Sequence, residues 1–153
     1  MISIELARAL RTAGLRWHPQ SGDSFVVETA DGSEQNAGEV FTVSEMTVEV
    51  HDHPGGQLIG FNGTTEWALD SVDVSDTLWL PREDQLRGVL RDGFRSLERE
   101  HVDGEPLHVV TAVIRGQERS YEAVTAEDAY GEAVLDLIVQ SLVSDSPDSS
   151  DSE

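Results

Sequence analysis

Three stretches of the chain repeat apolar residues at the three- and four-residue spacing of an amphipathic helix. Ile2 to Ala13 predicts a short N-terminal helix that ends at Gly14, because glycine is common at helix C-termini. Pro81 to Glu100 predicts a long central helix, with two acidic residues in its first turn. Thr125 predicts the start of a second long helix through the capping-box order Thr-Ala-Glu-Asp. The apolar face of that helix consists of Ala129, Ala133, Val134, Leu137, Ile138 and Leu142.

Between the first two helices, short runs rich in β-branched residues predict strands. These runs are Phe25 to Thr29, Val40 to Val43, Met46 to His51 and Gln57 to Phe61, and Thr77 to Leu80 is a brief extended apolar piece before the central helix. Consecutive strands of this kind favour an antiparallel meander, and the alternation from Met46 to His51 leaves one apolar face for helices to cover. Ala30 to Gly38 is polar and predicts a surface loop. Leu107 to Ile114 and Glu118 to Val124 flank a central glycine and predict a β-hairpin.

The order of these elements predicts an α+β fold. We expect an antiparallel β-meander plus a C-terminal hairpin, flanked by two long helices and a short N-terminal helix. The chain is 38% hydrophobic, which suffices for one core of ordinary size, so residues 1–143 are expected to form a single domain. Residues 144–153 (SDSPDSSDSE) offer nothing to bury and predict an acidic disordered tail.

Charge and composition exclude several classes of function. The chain has 30 Asp and Glu against 10 Lys and Arg, a formal net charge of −20, so nucleic acid and anionic membrane surfaces are excluded as partners. Every basic residue is Arg, which fits either a GC-rich genome or adaptation to high salt. The absence of Cys excludes disulfides, thiolate nucleophiles and Cys-based metal sites. No signal peptide precedes the first helix, and no apolar run approaches the ~18 residues of a membrane helix, so a cytoplasmic location is expected.

Two histidines form the first candidate site. His51 and His53 are two residues apart at the end of a predicted strand, where alternate side chains share a face, and neutral imidazoles are good ligands for divalent metals. The sequence contains no third ligand beside them. The fold could supply one from Glu66, Asp70, His18, His101 or His108. The alternative is that both histidines lie on the solvent-facing side of a strand that enters the Pro54-Gly55-Gly56 turn.

The loop from Asn62 to Asp70 is the second candidate site. It combines Gly63 with polar residues and an aromatic residue, and binding residues are frequent on such loops. Glu66 and Asp70 are four residues apart and could act as a carboxylate pair if a pocket raised the pKa of one of them. The alternative is a turn that buries Trp67. The candidate binding residues of both sites are His51, His53, Asn62, Thr64, Thr65, Glu66, Trp67 and Asp70.

Other catalytic motifs are absent from the sequence. No Gly-x-Ser-x-Gly elbow occurs, and a P-loop is excluded because the chain has no Lys. The Arg residues between Arg82 and Arg99 alternate with carboxylates, and on the predicted central helix they are interpreted as a salt-bridged solvent face.

Two blocks of sequence, Val48 to Ser71 and Leu78 to Arg87, resemble a family of small bacterial proteins. These are uncharacterised proteins of actinobacteria and some firmicutes, often labelled "pilus assembly protein". The resemblance covers roughly Ile4 to Leu142 and implies a GC-rich bacterial source and a free-standing cytoplasmic domain. It implies no site residues or activity.

From these observations we expect a small, non-enzymatic binding or regulatory domain that needs no cofactor. Its partner, a protein or a small molecule, would bind at the two candidate sites. One alternative is a metal-dependent hydrolase that uses His51, His53 and Asp70. A second alternative, suggested by the charge alone, is an acidic decoy that binds a basic protein. The oligomeric state is left open.

Overall fold

A computed structural model describes residues 1–28, 39–43, 48–53, 56–61, 71–73 and 76–145, of which residues 48–53, 56–61, 71–73 and 144–145 are described by their backbone. The chain divides into two compact units. The terminal unit consists of Met1–Leu15 and Arg82–Glu153, and the inserted unit consists of Arg16–Pro81. The described residues form three α-helices and three antiparallel sheets of three strands each, which confirms the predicted α+β class.

The terminal unit begins with α1, Ile4–Ala13, as the sequence pattern predicts. Ser3 caps the helix by accepting a hydrogen bond from the backbone N–H of Leu6 at 3.3 Å. Gly14 ends it with φ of +118°, a left-handed conformation that glycine adopts without steric cost. Leu6 and Leu10 are buried, and α1 packs against the long C-terminal helix.

The sheet of the terminal unit has the strand order β7-β8-β9. Its strands are β7 (Phe94–Val102), β8 (Glu105–Ile114) and β9 (Gln117–Ala123). Each connection is two residues long, Asp103-Gly104 and then Arg115-Gly116, and all four residues have positive φ. This conformation is that of the type I′ turn, whose twist matches that of the flanking strands. The predicted C-terminal hairpin is therefore confirmed, with one more strand paired to it.

The long helix α3, Ala126–Asp145, covers one face of this sheet. Thr125 caps it by accepting a hydrogen bond from the N–H of Asp128 at 3.2 Å, as the capping-box pattern predicts. The first half of α3 is buried through Ala126, Ala129, Tyr130, Ala133 and Val134. The predicted apolar face does not stay covered, because Leu142 is 55% exposed. The helix continues to Asp145, two residues into the segment that was predicted to be a tail.

The predicted central helix from Pro81 to Glu100 is wrong in its second half. The helix α2 covers Glu83–Leu90, a 3-10 turn follows at Arg91–Gly93, and the chain then enters β7. Phe94 and Leu97 continue the helical spacing by coincidence, since both belong to a strand whose partner is β8. Among the described residues α3 is thus the one long helix, and the interpretation of the Arg-rich stretch as a helical salt-bridged face fails beyond Leu90.

The inserted unit contains a sheet of order β2-β1-β6. Its strands are β1 (Ser24–Val27), β2 (Val40–Thr42) and β6 (Thr77–Leu80). Aromatic rings pack around Phe25, which is fully buried: Trp17 lies 5.3 Å from it and Phe41 lies 5.6 Å from it, measured between ring centroids. Trp79 stacks on Trp17 at 6.5 Å. These rings form the core of this sheet.

The third sheet has the antiparallel order β3-β4-β5; the sequence predicts its first two strands but not β5. Its strands are β3 (Val48–His53), β4 (Gly56–Phe61) and β5 (Ser71–Asp73). The predicted single meander is nevertheless divided, because β2 pairs with β1 and not with β3. The predicted loop from Ala30 to Gly38 lies outside the described residues. The single domain over residues 1–143 and the disordered tail stay predictions.

Candidate functional site

The candidate residues predicted from the sequence are largely outside the described part of the chain. His51 and His53 lie on β3, in register with Leu58 and Gly56 of β4, so the strand predicted to end at His51 runs two residues further and pairs with the strand predicted after it. Asn62, Thr64, Thr65, Glu66, Trp67 and Asp70 lie outside the described residues. Binding at these positions therefore stays a prediction.

The metal site is also a prediction. Within the described residues, no three His, Asp or Glu side chains are arranged to hold a metal ion. Of the possible third ligands, His108 has its Nδ1 atom 3.0 Å from the carbonyl oxygen of Val124. Metal analysis of the purified protein, with a melting temperature measured with and without chelator, tests the hydrolase alternative; a metal-free protein indifferent to chelator would exclude it.

The inner face of the β7–β9 sheet carries a polar cluster where β9 meets α3. Asp136 of α3 accepts hydrogen bonds from the Tyr121 hydroxyl at 2.5 Å and from an Arg119 guanidinium nitrogen at 3.0 Å. Gln140, one turn further along α3, donates to the other carboxylate oxygen at 3.3 Å. The cluster thus ties β9 to the middle of α3.

The protonation states of this cluster favour a structural role. Burial raises the pKa of Tyr121 well above its ordinary value, and the hydrogen bond to Asp136 and the charge of that carboxylate raise it further, against the effect of Arg119. Burial also tends to raise the pKa of Asp136, but the hydrogen bonds from Tyr121 and Gln140 and the charge of Arg119 outweigh it, so the pKa is lowered. A neutral Tyr and an ionised Asp at pH 7 do not exchange protons. These directions are those expected of a hydrogen-bonded pair that holds β9 against α3.

A buried carboxylate also organises the inserted unit. Asp23 is 1% exposed, and its Oδ2 atom accepts from the indole N–H of Trp17 at 2.9 Å and from the backbone N–H of Gln20 at 3.0 Å. In contrast, the indole N–H of Trp79 is buried and has no acceptor among the described residues. Of the two stacked tryptophans, therefore, Trp17 has its indole N–H hydrogen-bonded and Trp79 does not, among the described residues.

The outer face of the β7–β9 sheet, which points away from α3, is the surface with the clearest chemical character. Tyr121 and Arg119 reach α3, so the alternate residues of β9 point outward. The register places Val109 of β8 between Glu98 of β7 and Glu122 of β9. We call this surface the acidic face, and its members are Ser96, Glu98, Glu100, Leu107, Val109, Thr111, Val113, Glu118, Ser120 and Glu122.

Four carboxylates of the acidic face are exposed and unpaired. Glu98, Glu100, Glu118 and Glu122 have neither an ion pair nor a hydrogen bond within the described part of the chain. Strands lie ~4.8 Å apart, so the Cα atoms of Glu98 and Glu122, two strands apart, are separated by about 10 Å. In the β8 row between these acidic edges, Val109 is only 7% exposed, and Leu107, Thr111 and Val113 are half-buried.

The sequence pattern did not identify this face, because β7 was expected to be helical. One signal was present: Asp103-Gly104 is a dipeptide typical of two-residue hairpins, and it lies between the two runs that pair as β7 and β8. With that hairpin assigned, alternation alone would have placed Glu98 and Glu100 on one side.

Comparison with known proteins adds no family: no family model, curated protein or solved structure matches the chain. The resemblance to the small bacterial proteins labelled "pilus assembly protein" therefore stays a prediction. Among the described residues, no helix is both long enough and apolar enough to cross a membrane.

Proposed function

We propose that this chain is a non-enzymatic binding domain whose partner is a cationic protein or peptide, bound on the acidic face of the β7–β9 sheet. One observation carries the proposal: four exposed carboxylates lie on one side of a single sheet without any cation to pair them in the described residues. The cytoplasmic location expected from the sequence is part of the same proposal.

The distribution of cations around the sheet supports this reading. Arg119, the one Arg on β9, turns inward and pairs with Asp136. Arg95, at the start of β7, donates to the backbone carbonyl oxygens of Asp92 and Phe94. Two of the guanidinium groups of this sheet are thus used for internal contacts. The carboxylates of the acidic face stay available to Lys or Arg from outside.

The spacing of the carboxylates suits an extended or helical cationic segment. Glu98 and Glu100 are two residues apart on β7, about 7 Å along the strand, and Glu118 and Glu122 lie on the opposite edge. A segment that lies across the strands would bring its basic side chains to both edges. The net charge of −20 adds long-range attraction that speeds association.

The test compares two double variants that change the net charge equally. Glu98→Gln/Glu122→Gln removes two charges from the acidic face and keeps the side-chain shape. Glu5→Gln/Glu132→Gln removes two exposed charges from α1 and α3, away from that face. Binding of a short Arg/Ser peptide is measured by titration calorimetry at low and high salt.

We expect the acidic-face variant to bind about tenfold more weakly, since two exposed charge pairs contribute roughly 0.5–1 kcal/mol each. The control variant should change the affinity less than twofold. Equal weakening by both variants would mean that the peptide responds to net charge alone, and the proposed face would then be wrong.

A further inference from the structure

The strand β7 forms one edge of its sheet, and this edge is open. In the order β7-β8-β9, β7 has a partner strand on one side only among the described residues, and its residues from Leu97 to Val102 are all exposed. The helix α3 packs mainly against β8 and β9, and Leu97, on the inner side of β7, is 37% exposed. There is therefore room for a further strand beside β7.

The turn between β7 and β8 determines which backbone groups point to the open edge. Next to a two-residue type I′ turn, the flanking residues, here Val102 and Glu105, form a hydrogen-bonded pair. Hydrogen-bonded and non-hydrogen-bonded pairs then alternate, so Glu100 and Glu98 also direct their N–H and C=O groups to β8. The residues between them direct these groups to the open edge, where no other described residue binds them. These residues are Leu97, Arg99 and His101.

The two sides of this edge differ in charge. Glu98 and Glu100 lie on the outer side, in the acidic face, whereas Arg99 points to the inner side because alternate residues of a strand face opposite ways. An added strand would place each of its residues opposite a β7 residue on the same side of the sheet. Basic side chains are therefore favoured opposite the two Glu residues and disfavoured opposite Arg99. This difference decides which side of the added strand faces outward.

Like charges oppose two other occupants of the edge. A second copy that paired through its own β7 would bring the outer Glu residues of both strands next to each other, which destabilises a sheet. The sequence after α3, residues 146–153, carries three carboxylates and no basic residue. An extended segment with basic residues at alternate positions complements the edge instead.

We propose that the edge of β7 is a strand-addition site, where an extended segment of the cationic partner pairs antiparallel with Leu97, Arg99 and His101 and places basic side chains opposite Glu98 and Glu100. This rests on the proposed function, because it specifies how one segment of the cationic partner binds. It adds backbone hydrogen bonds along the edge of the sheet to the side-chain contacts of the acidic face.

The experiment uses a short peptide of alternating Lys and Thr, because β-branched Thr favours the extended conformation. In the proposed arrangement the Lys side chains face outward, the N–H groups of the Thr residues point to β7 and those of the Lys residues point to solvent. Two further peptides carry N-methyl groups on all Thr or on all Lys backbone nitrogens, so the three peptides have the same charge. Binding is measured by nuclear magnetic resonance titration at low salt.

Methylation of the Thr nitrogens should weaken binding by about tenfold or more, because it removes the donors that pair with β7, and methylation of the Lys nitrogens should weaken it by less than about twofold. Equal affinities of the three peptides, or a loss caused by the Lys methyl groups, would overturn the strand addition.

Two double variants of the protein locate the peptide. Glu98→Gln/Glu100→Gln should weaken the unmethylated peptide about tenfold, whereas Glu118→Gln/Glu122→Gln, which removes the same charge from β9 on the same face, should weaken it by less than about threefold. Equal weakening would show that the peptide lies across the strands and would overturn the strand addition. A dimer in sedimentation analysis, with slow amide exchange at Leu97, Arg99 and His101 in the free protein, would overturn it in favour of a second copy.

The two proposals fail separately. If methylation of the Thr nitrogens has no effect while Glu98→Gln/Glu122→Gln weakens the Arg/Ser peptide, the proposed function stands and the strand addition is wrong. If only the Thr methyl groups weaken binding and Glu98→Gln/Glu122→Gln behaves as its control, the edge of β7 binds the segment and the acidic face as a whole does not.

Discussion

Gly93 is the residue at which the chain leaves the 3-10 turn and enters β7, and its replacement by Ala gives a sharp test of the packing in the terminal unit. A Cβ atom at this position would lie 2.6 Å from the backbone carbonyl oxygen of Val113. Val113 belongs to the central strand β8 and is paired with Glu118 of β9. The oxygen cannot rotate away as a side chain would, so either the turn or the strand must shift.

The expected magnitude follows from two opposing effects. Overpacking of this kind costs about 1–3 kcal/mol, whereas the smaller conformational freedom of Ala in the unfolded chain returns roughly 0.5–1 kcal/mol. Gly93→Ala should therefore lower the free energy of unfolding by about 1–2 kcal/mol. Gly88→Ala is the matched control: Gly88 is exposed on α2 and a Cβ there meets no atom within 4 Å. It should raise stability by roughly 0.5–1 kcal/mol through helix propensity.

Chemical denaturation followed by far-ultraviolet circular dichroism measures both effects. All three described α-helices belong to the terminal unit, so the helical signal reports that unit, while the three Trp residues lie in the sequence of the inserted unit and provide a separate fluorescence signal. We expect the helical transition to move to lower denaturant in Gly93→Ala and to higher denaturant in Gly88→Ala. If Gly93→Ala stabilises the protein as Gly88→Ala does, the close approach of the turn to β8 is wrong.

Two further predictions concern buried polar groups. Burial raises the pKa of both tyrosines, Tyr121 and Tyr130, above the ordinary value of about 10. A tyrosine pKa that is higher in the folded than in the unfolded protein stabilises the fold at a pH below the unfolded pKa, and this contribution is lost as the pH rises. The absorbance of tyrosinate should therefore appear at a higher pH in the native than in the denatured protein, and the free energy of unfolding should fall above about pH 10. Titration of native and denatured protein at the same pH would contradict this. In the inserted unit, Trp17→Phe should lower the free energy of unfolding by about 1–2 kcal/mol more than Trp79→Phe, as measured in a fluorescence-monitored melt. The reason is that, among the described residues, the Trp17 indole donates to Asp23 and the Trp79 indole has no acceptor. An equal loss of stability in the two variants would refute this prediction.

Elements with a local chemical signal were predictable from the sequence. The ends of α1 follow from Ser3 and Gly14, and the start of α3 follows from Thr125, because each of these residues satisfies backbone groups within its own turn. The β8–β9 hairpin follows from the glycine at position 116, where φ is +78°. In these cases the information lies within a few residues of the feature.

The extended helix prediction failed where pairing partners are distant in sequence. From Leu86 to Leu97 the apolar spacing fits a helix as well as a strand entered through a turn. The strand forms because the two-residue turn places residues Glu105 to Ala112 of β8 next to β7, where they pair with it. Likewise, nothing in the local pattern of β2 indicates that its partner is β1 and that β6 lies on the other side of β1. Long-range pairing overrides local periodicity in both cases.

The acidic face depends on register, and register explains why a charge count could not locate it. Glu98 and Glu122 are 24 positions apart in the sequence, yet both flank Val109 because β7 and β9 pair with opposite edges of β8.

Because alternate residues of a strand point to opposite faces, Glu122 points outward while Tyr121 and Arg119, the one Arg of β9, point inward and donate hydrogen bonds to Asp136. The inner face thereby uses the cation and the outer face keeps the carboxylates unpaired. A net charge of −20 would permit a partner anywhere on the surface; the alternation of β7 and β9 places four exposed carboxylates of that charge on one side of one sheet. A shift of β9 by one residue would exchange the two sets and turn Glu118 and Glu122 towards α3, so the register that stabilises the terminal unit also creates the acidic face on which we propose that a partner binds.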